Sequence, residues 1–257
     1  MSYFDAIVLG IVQGLTEFLP VSSSGHLVLA QELLGVNPPG ISFELVLHLG
    51  TLIAVFVYFR AVIGRLVQAA VGRGSSDDRR MILWLVIGTI PAGVLGILLK
   101  DFFEQAFASP VSTSWELIIT GGILLATRFV RHGNRSVSLW PAVIMGCGQA
   151  IAIMPGISRS GTTIAAGLFA GVKPAEVAEF SFLLSIPAVA GAILLDADEI
   201  LHVSNGLAGP YLAGTLVSFG LGLLSVYVVL TTVKRGKFDY FAYYCFAAGA
   251  LGLYLFT

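Results

Sequence analysis

The apolar residues of this chain gather in long runs. Those near 42–60, 81–99, 114–130, 176–195, 209–232 and 239–257 each approach the roughly 20 residues that an α-helix needs to cross a bilayer. Six transmembrane helices are expected. Two further apolar stretches, 4–35 and 139–171, are interrupted in the middle, by Pro20-Val21-Ser22-Ser23-Ser24-Gly25 and by Pro155-Gly156-Ile157-Ser158-Arg159-Ser160-Gly161. At 1.5 Å per residue, a piece such as 4–19 reaches about 24 Å and one such as 26–34 about 14 Å, both short of a roughly 30 Å hydrocarbon core. Each interrupted stretch is therefore expected to fold as a re-entrant helical hairpin, in an all-α polytopic membrane protein.

The two interrupted stretches also match each other. Shifted by 136 positions, Gly10 meets Gly146, Gln13 meets Gln149, Ser22 meets Ser158, Ser24 meets Ser160, Gly25 meets Gly161, Gly35 meets Gly171 and Pro38 meets Pro174. Each copy is followed by three spans. An odd number of crossings turns the second copy upside down relative to the first, as in the inverted-topology repeats of many transporters. The chain then reads as a single membrane domain, with a first repeat over 1–131 and a second, inverted repeat over 139–257.

Basic residues orient these elements, because cytoplasmic loops collect Lys and Arg. Arg60, Arg65, Arg73, Arg79 and Arg80 fall between the first two spans. Arg128, Arg131 and Arg135 follow the third, Lys173 precedes the fourth, and Lys234, Arg235 and Lys237 follow the fifth. All of these belong on one side. Asp101 and Glu104, then Asp196, Asp198 and Glu199, mark the opposite loops, with Lys100 the basic exception. The basic loops are expected in the cytoplasm, and the C-terminus outside.

Composition agrees with a membrane protein: 56% of the 257 residues are apolar and 11% charged, against about 25% charged in a soluble domain. Fourteen Lys and Arg against fifteen Asp and Glu leave a formal charge of −1, without the basic excess a nucleic-acid partner needs. The first basic residue is Arg60, so no secretory signal with a basic leading segment is expected. Cys147 and Cys245 are far apart in apolar stretches and read as packing residues rather than a disulfide.

The polar groups at depth carry the chemistry. Irregular backbone inside a membrane survives only where it is buried in protein or lines a wet cavity, so the two breaks are expected to face each other. Around them stand Gln13, Glu17, Ser22, Ser23, Ser24, His26, Ser158, Arg159, Ser160, Thr162 and Thr163. An ionised group at bilayer depth costs several kcal/mol unless paired, and defaults to a functional hypothesis. Gln13 and Glu17, four apart, can present oxygens to one point. His26 lies just after Gly25 at a helix start, where free amides favour an anion. Arg159 offers a fork of donors that fits phosphate oxygens. Each has a plainer reading too: Glu17 and Arg159 as a salt bridge between the hairpins, His26 as a helix cap. Together they form phosphoryl-transfer equipment. Glu44 and His48 share a face of the first span and either extend this cavity or pair at the interface. Glu176 and Glu179 suit the first turn of a helix. The tryptophans and Tyr243-Tyr244 read as belt or packing residues.

The string Gln13-Gly14-Leu15-Thr16-Glu17-Phe18-Leu19-Pro20-Val21-Ser22-Ser23-Ser24-Gly25-His26 closely resembles the first signature of the bacterial undecaprenyl-diphosphatase (bacitracin-resistance) family. Pro155-Gly156-Ile157-Ser158-Arg159-Ser160-Gly161 resembles its second, and Ala178-Glu179-Phe180-Ser181-Phe182-Leu183-Leu184 extends the likeness. The resemblance implies hydrolysis of undecaprenyl diphosphate to the monophosphate and inorganic phosphate in the bacterial plasma membrane, recycling a wall-polymer carrier. It implies Glu17 as base or metal ligand, Ser23 or His26 as nucleophile and Arg159 as phosphate clamp. A divalent cation, Mg²⁺ or Ca²⁺, is implied with them, held by Glu17 and Gln13. Ser22, Ser24, Gly25, Ser158, Ser160, Gly161 and Thr162 are expected to complete the substrate cleft with Gln13, on the outer side of the membrane. The expected partners are the polyprenyl diphosphate, the bilayer and, as an open case, a second copy of the chain. A carrier or flippase for an isoprenyl phosphate lipid is the alternative, since inverted repeats with broken helices are a transporter trait.

Overall fold

Long apolar runs with good helix formers give helices throughout the computed structural model. It describes residues 1–36, 42–99, 102, 109–130, 133–195 and 207–257. Among these the helices are α1 (Tyr3–Thr16), α2 (Ser23–Leu34), α3 (Ser42–Tyr58), α4 (Arg60–Ala70), α5 (Ser76–Leu98), α6 (Pro110–Ala126), α7 (Leu139–Ile151), α8 (Arg159–Phe169), α9 (Pro174–Leu195), α10 (Ala208–Lys234) and α11 (Tyr240–Phe256). The described residues form no β-sheet; a single isolated bridge joins Arg135 to Val172. Lys100, Asp101, Glu104, Arg131, Asp196, Asp198 and Glu199, used above to orient the loops, and Pro38 lie outside the described residues.

Three of the six expected spans, α5, α9 and α10, are helices long and apolar enough to cross a membrane. The expected spans 114–130 and 239–257 correspond to α6 and α11, of 17 residues each, about 26 Å long at 1.5 Å per residue. The span expected over 42–60 is different. Its helix ends at Tyr58, and the chain turns by 80° into α4. Segment 60–70, expected as part of a basic loop, is helical because it is amphipathic. Val62, Ile63 and Leu66 pack against the core, while Arg60 and Val67 are exposed. Such a helix suits a membrane–water boundary rather than a crossing.

Both expected breaks are present. α1 and α2 are separated by Glu17–Ser22, and α7 and α8 by Ala152–Ser158. None of the four exceeds 14 residues, or about 21 Å, so none spans the hydrocarbon alone. The first helix of each pair seeks a long one from the other half: α1 lies along α10, and α7 along α5. Small residues allow the close approach. A Cβ on Gly10 would lie 2.6 Å from the Gly214 carbonyl oxygen, and one on Gly146 would lie 2.4 Å from that of Gly88. Helices in lipid associate through this kind of packing, since burial of apolar surface drives little there. α3 packs on both α9 and α10, and α6 on α11. Phe18, beside the first break, meets Phe182 of α9 edge-on at 5.5 Å between ring centres. That aromatic contact ties the break to the core.

Candidate active site

The first break begins where α1 runs out at Glu17 and ends where Ser22 caps α2. Ser22 accepts the amide hydrogen of Gly25 at 3.3 Å. Its φ of 66° and ψ of 98° place a non-glycine residue in sparsely populated backbone space, a cost of order 1–3 kcal/mol that clusters at functional loops. The turn brings Ser23, first residue of α2, back over the end of α1. Its hydroxyl donates to Glu17 Oε2 at 2.5 Å.

The second break is built alike. Ser158 caps α8 by accepting from the Gly161 amide at 3.1 Å, and the Ser158 and Ser160 hydroxyls lie 3.3 Å apart, as do those of Ser22 and Ser24. Thr120 of α6 braces it, donating to the Gly156 carbonyl at 2.8 Å and accepting from the Ser158 amide at 3.0 Å. Arg159, first residue of α8, then donates from Nη2 to Glu17 Oε1. Ser160 donates to the Leu19 carbonyl at 3.2 Å, and a Cβ on Gly25 would come within 3.0 Å of the Gly156 Cα. The two breaks meet, as expected from the cost of burying their charges apart.

Glu17 is the hub of this junction and is only 7% exposed. Besides Ser23 and Arg159, it accepts from Gln13 Nε2 at 3.0 Å. His48 of α3 places Nε2 3.5 Å from Glu17 Oε2, with its Nδ1 2.8 Å from the Glu44 carbonyl. Gln13 also reaches Thr51 at 3.5 Å. Two buried atoms in this cluster have no hydrogen-bond partner, Gln13 Oε1 and Arg159 Nη1. They are an unused acceptor and an unused donor on two side chains that each bond the Glu17 carboxylate through another atom. Such groups cost about 1–3 kcal/mol each when left unpaired, and are the places where a cation and an anionic oxygen would fit.

The remaining expected residues divide by exposure. Ser23, Ser24, His26 and Arg159 are partly exposed, whereas Gln13, Ser22, Gly25, Ser158, Ser160, Gly161 and Thr162 are buried. Thr162 donates to the Ser158 carbonyl at 2.7 Å, and Thr163 to that of Arg159 at 2.8 Å. His26 does not join the Glu17 cluster. Its Nδ1 lies 2.8 Å from the Ser22 carbonyl and its Nε2 2.9 Å from the Tyr244 hydroxyl, with the two rings stacked at 5.6 Å. Tyr244, expected as belt or packing, is thus a site neighbour. Of the Glu44–His48 pair only His48 reaches the site, since Glu44 accepts from Gln31 at 3.0 Å. Cys245 is buried with its thiol 3.6 Å from the Pro20 carbonyl, and both cysteines are free.

Glu116 of α6 is a buried charge that the sequence pattern did not single out. Its Oε2 and the neighbouring Thr113 hydroxyl lack partners, and a Cβ on Gly156 would lie 2.6 Å from its Cβ. A signal is there to find: Glu116 is the one charged residue in the run 114–127.

Apolar helices, an apolar exterior and charged residues gathered where two broken helix pairs meet define a multi-pass membrane protein with a buried polar site. Residues 6–251 match the family model described as bacitracin resistance protein BacA. The chain is 40% identical to an undecaprenyl-diphosphatase of Salinibacter ruber, over 99% of this chain and 100% of the relative. It is 41% identical to one of Desulforapulum autotrophicum, over 98% of each, and 43% identical to one of Syntrophotalea carbinolica, over 98% of each. The chain belongs to the bacitracin resistance protein BacA family.

Proposed function

We infer that this chain is an undecaprenyl-diphosphatase, hydrolysing undecaprenyl diphosphate to undecaprenyl phosphate and inorganic phosphate. Full-length likeness to relatives of that name supports the substrate. One observation carries the chemistry: a single buried carboxylate holds both the Ser23 hydroxyl and the Arg159 guanidinium, drawn from opposite breaks.

Ser23 Oγ attacks the terminal phosphorus, and Glu17 takes its proton as the new O–P bond forms. The bridging P–O bond breaks, its electron pair leaving with undecaprenyl phosphate. Glu17 gives up that proton to the departing undecaprenyl phosphate or to solvent and is a carboxylate again. A water then attacks the phosphoserine as Glu17 accepts the water's proton. The Ser23–phosphorus bond breaks, with Glu17 returning the proton to Ser23 Oγ as inorganic phosphate departs. Arg159 keeps Nη2 on Glu17 and turns Nη1 to the phosphoryl oxygens, where charge develops. Ser22, Ser158, Ser160 and Thr162 hold the backbone of the breaks in shape, and His26, stacked on Tyr244, holds the Ser22 carbonyl.

A divalent cation, Mg²⁺ or Ca²⁺, fits beside Glu17, where the unused Gln13 Oε1 is a hard oxygen donor. Among the described residues no three acidic, His or Cys side chains converge on one point. That sparse donor set suits an ion that shares its shell with phosphates and water. When bound, it would neutralise charge on the diphosphate.

The architecture belongs to the same reading: six crossings and two re-entrant hairpins, related as inverted halves over 1–131 and 139–257. The swapped packing of α1 on α10 and α7 on α5 supports it. The basic ends gather together, because Arg135 and Lys173 are paired through the backbone and Arg128, Arg235 and Lys237 line one cavity. Facing the cytoplasm with that end leaves the site open to the outer leaflet. Cysteine labelling in intact cells that modified position 73 before position 198 would reverse this orientation.

The test of the activity is metal-dependent phosphate release by the purified protein in detergent micelles. Wild type releases phosphate and Glu17→Ala, correctly folded, does not. A carrier gives no release there, because micelles have no compartments.

A further inference from the structure

At the basic end of the molecule, a cavity of about 700 Å³ opens between the segment just after α6, the last turns of α8 and α10, the start of α9 and the turn into α11. Arg128, Arg235 and Lys237 line it, with Asp239 the one acid among the lining residues. None of the three cations has a carboxylate within 4.0 Å among the described residues, whose ion pairs involve other bases. Arg128 Nη1 is instead steadied by the Tyr243 hydroxyl at 3.4 Å. Lys237 Nζ sits 5.7 Å from the centre of the Tyr240 ring. Gly236, at φ 67°, makes the tight turn that puts Arg235 and Lys237 on the same opening. Like charges converging on one hollow repel each other, and an anion in it removes the conflict.

We propose that this cavity binds the phosphodiester head group of an anionic glycerophospholipid. A phosphate diester supplies the acceptor oxygens that a guanidinium fork and an ammonium demand. The source is a lipid because exposed apolar rings flank the basic groups: Tyr240, which lines the cavity, is 59% exposed, and Phe129, between the lining residues Arg128 and Val130 in sequence, is 83% exposed. Basic pockets between helix ends recognise anionic head groups in this way, each cation near the surface adding about fivefold in affinity. The site is separate from the Glu17 junction and shares no residue with it.

The test uses the full chain, purified in detergent, with native mass spectrometry and thermal unfolding as readouts. The probes are short-chain phosphatidylglycerol, short-chain phosphatidylcholine and inorganic phosphate. Wild type retains and is stabilised by phosphatidylglycerol over phosphatidylcholine. The triple variant Arg128→Gln, Arg235→Gln, Lys237→Gln loses about a hundredfold in that affinity, while the control Arg73→Gln, Arg79→Gln, on bases outside the cavity, loses less than about threefold. Should the triple variant fold poorly, the single variants carry the test, with a loss of about fivefold each. The proposal is overturned if the control weakens binding as much as the cavity variants, if phosphatidylcholine competes equally, or if inorganic phosphate binds as tightly as the lipid.

Discussion

Arg159 and Glu17 stand 142 positions apart in the sequence, on the two helix breaks, and their side chains are joined by a hydrogen-bonded ion pair. Only one arm of the guanidinium is used. Nη2 holds the carboxylate, and Nη1 is buried without a partner. A residue kept only to clamp the hairpins would gain by bonding both arms; this one keeps a donor in reserve.

Arg159→Lys should therefore damage catalysis far more than its unchanged charge suggests. Lysine can keep the Glu17 contact, but a point charge cannot serve carboxylate and phosphate together as the fork does. The expected fall in kcat is about 10²–10³, the range for removing one transition-state donor. Phosphate-release kinetics on the folded variant check it, and a loss of about tenfold or less would reduce Arg159 to a structural ion pair.

His26→Gln and Tyr244→Phe should be mild and coupled. His26 spends both ring nitrogens on the Ser22 carbonyl and the Tyr244 hydroxyl, so neither is free to take a proton from Ser23. Each variant is expected to lower kcat by about tenfold or less, with the double variant short of additive by about 1 kcal/mol. A double-mutant cycle on kcat/KM measures this; a loss on the order of a thousandfold in His26→Gln alone would return the nucleophile question to the imidazole.

Gln13→Ala should raise the Mg²⁺ concentration needed for half-maximal phosphate release by about 10–100-fold, the usual cost of losing a group that supports a metal site. Maximal release at saturating Mg²⁺ should fall less, and chelation of the metal should stop the wild-type enzyme. An unchanged metal requirement in the variant would place the ion elsewhere.

Gly156→Ala should be destabilising. At φ 96° a side chain is strained, and its Cβ would lie 2.6 Å from both the Glu116 Cβ and the Thr113 carbonyl oxygen. A loss of about 1–3 kcal/mol is expected, with activity lost as the second break shifts. Gly64, inside α4 with open space around it, is the contrast: Gly64→Ala should stabilise by about 0.5–1 kcal/mol. Thermal unfolding in detergent measures both.

Glu17, Ser23 and Arg159 are legible in the sequence because charges and serine clusters inside apolar runs are too costly at bilayer depth to stand there without a role. The rule that irregular backbone must be buried in protein or line a wet cavity makes the meeting of the two breaks legible as well. Which neighbours join them is not. His48 is legible as a candidate because it shares a face of α3 with Glu44, but which of the two reaches the site is decided by packing. Thr51 and Tyr244 emerge only from packing, α11 being apolar on nearly every side. The basic residues that orient the loops also conceal α4, since Arg60 and Arg65 read as loop until Val62, Ile63 and Leu66 are placed against the core. The unusual φ of Ser22 has no sequence signature at all.

Ser23 Oγ is the atom that receives the phosphoryl group in this mechanism. Rapid acid quenching of the wild-type enzyme with undecaprenyl diphosphate radiolabelled at the terminal phosphate tests this most directly. The expected result is acid-stable label on the peptide carrying Ser23, lost in Ser23→Ala and accumulating faster than phosphate is freed. Acid-labile label on the peptide carrying His26, or phosphate release at the wild-type rate with no label on the chain, would contradict it.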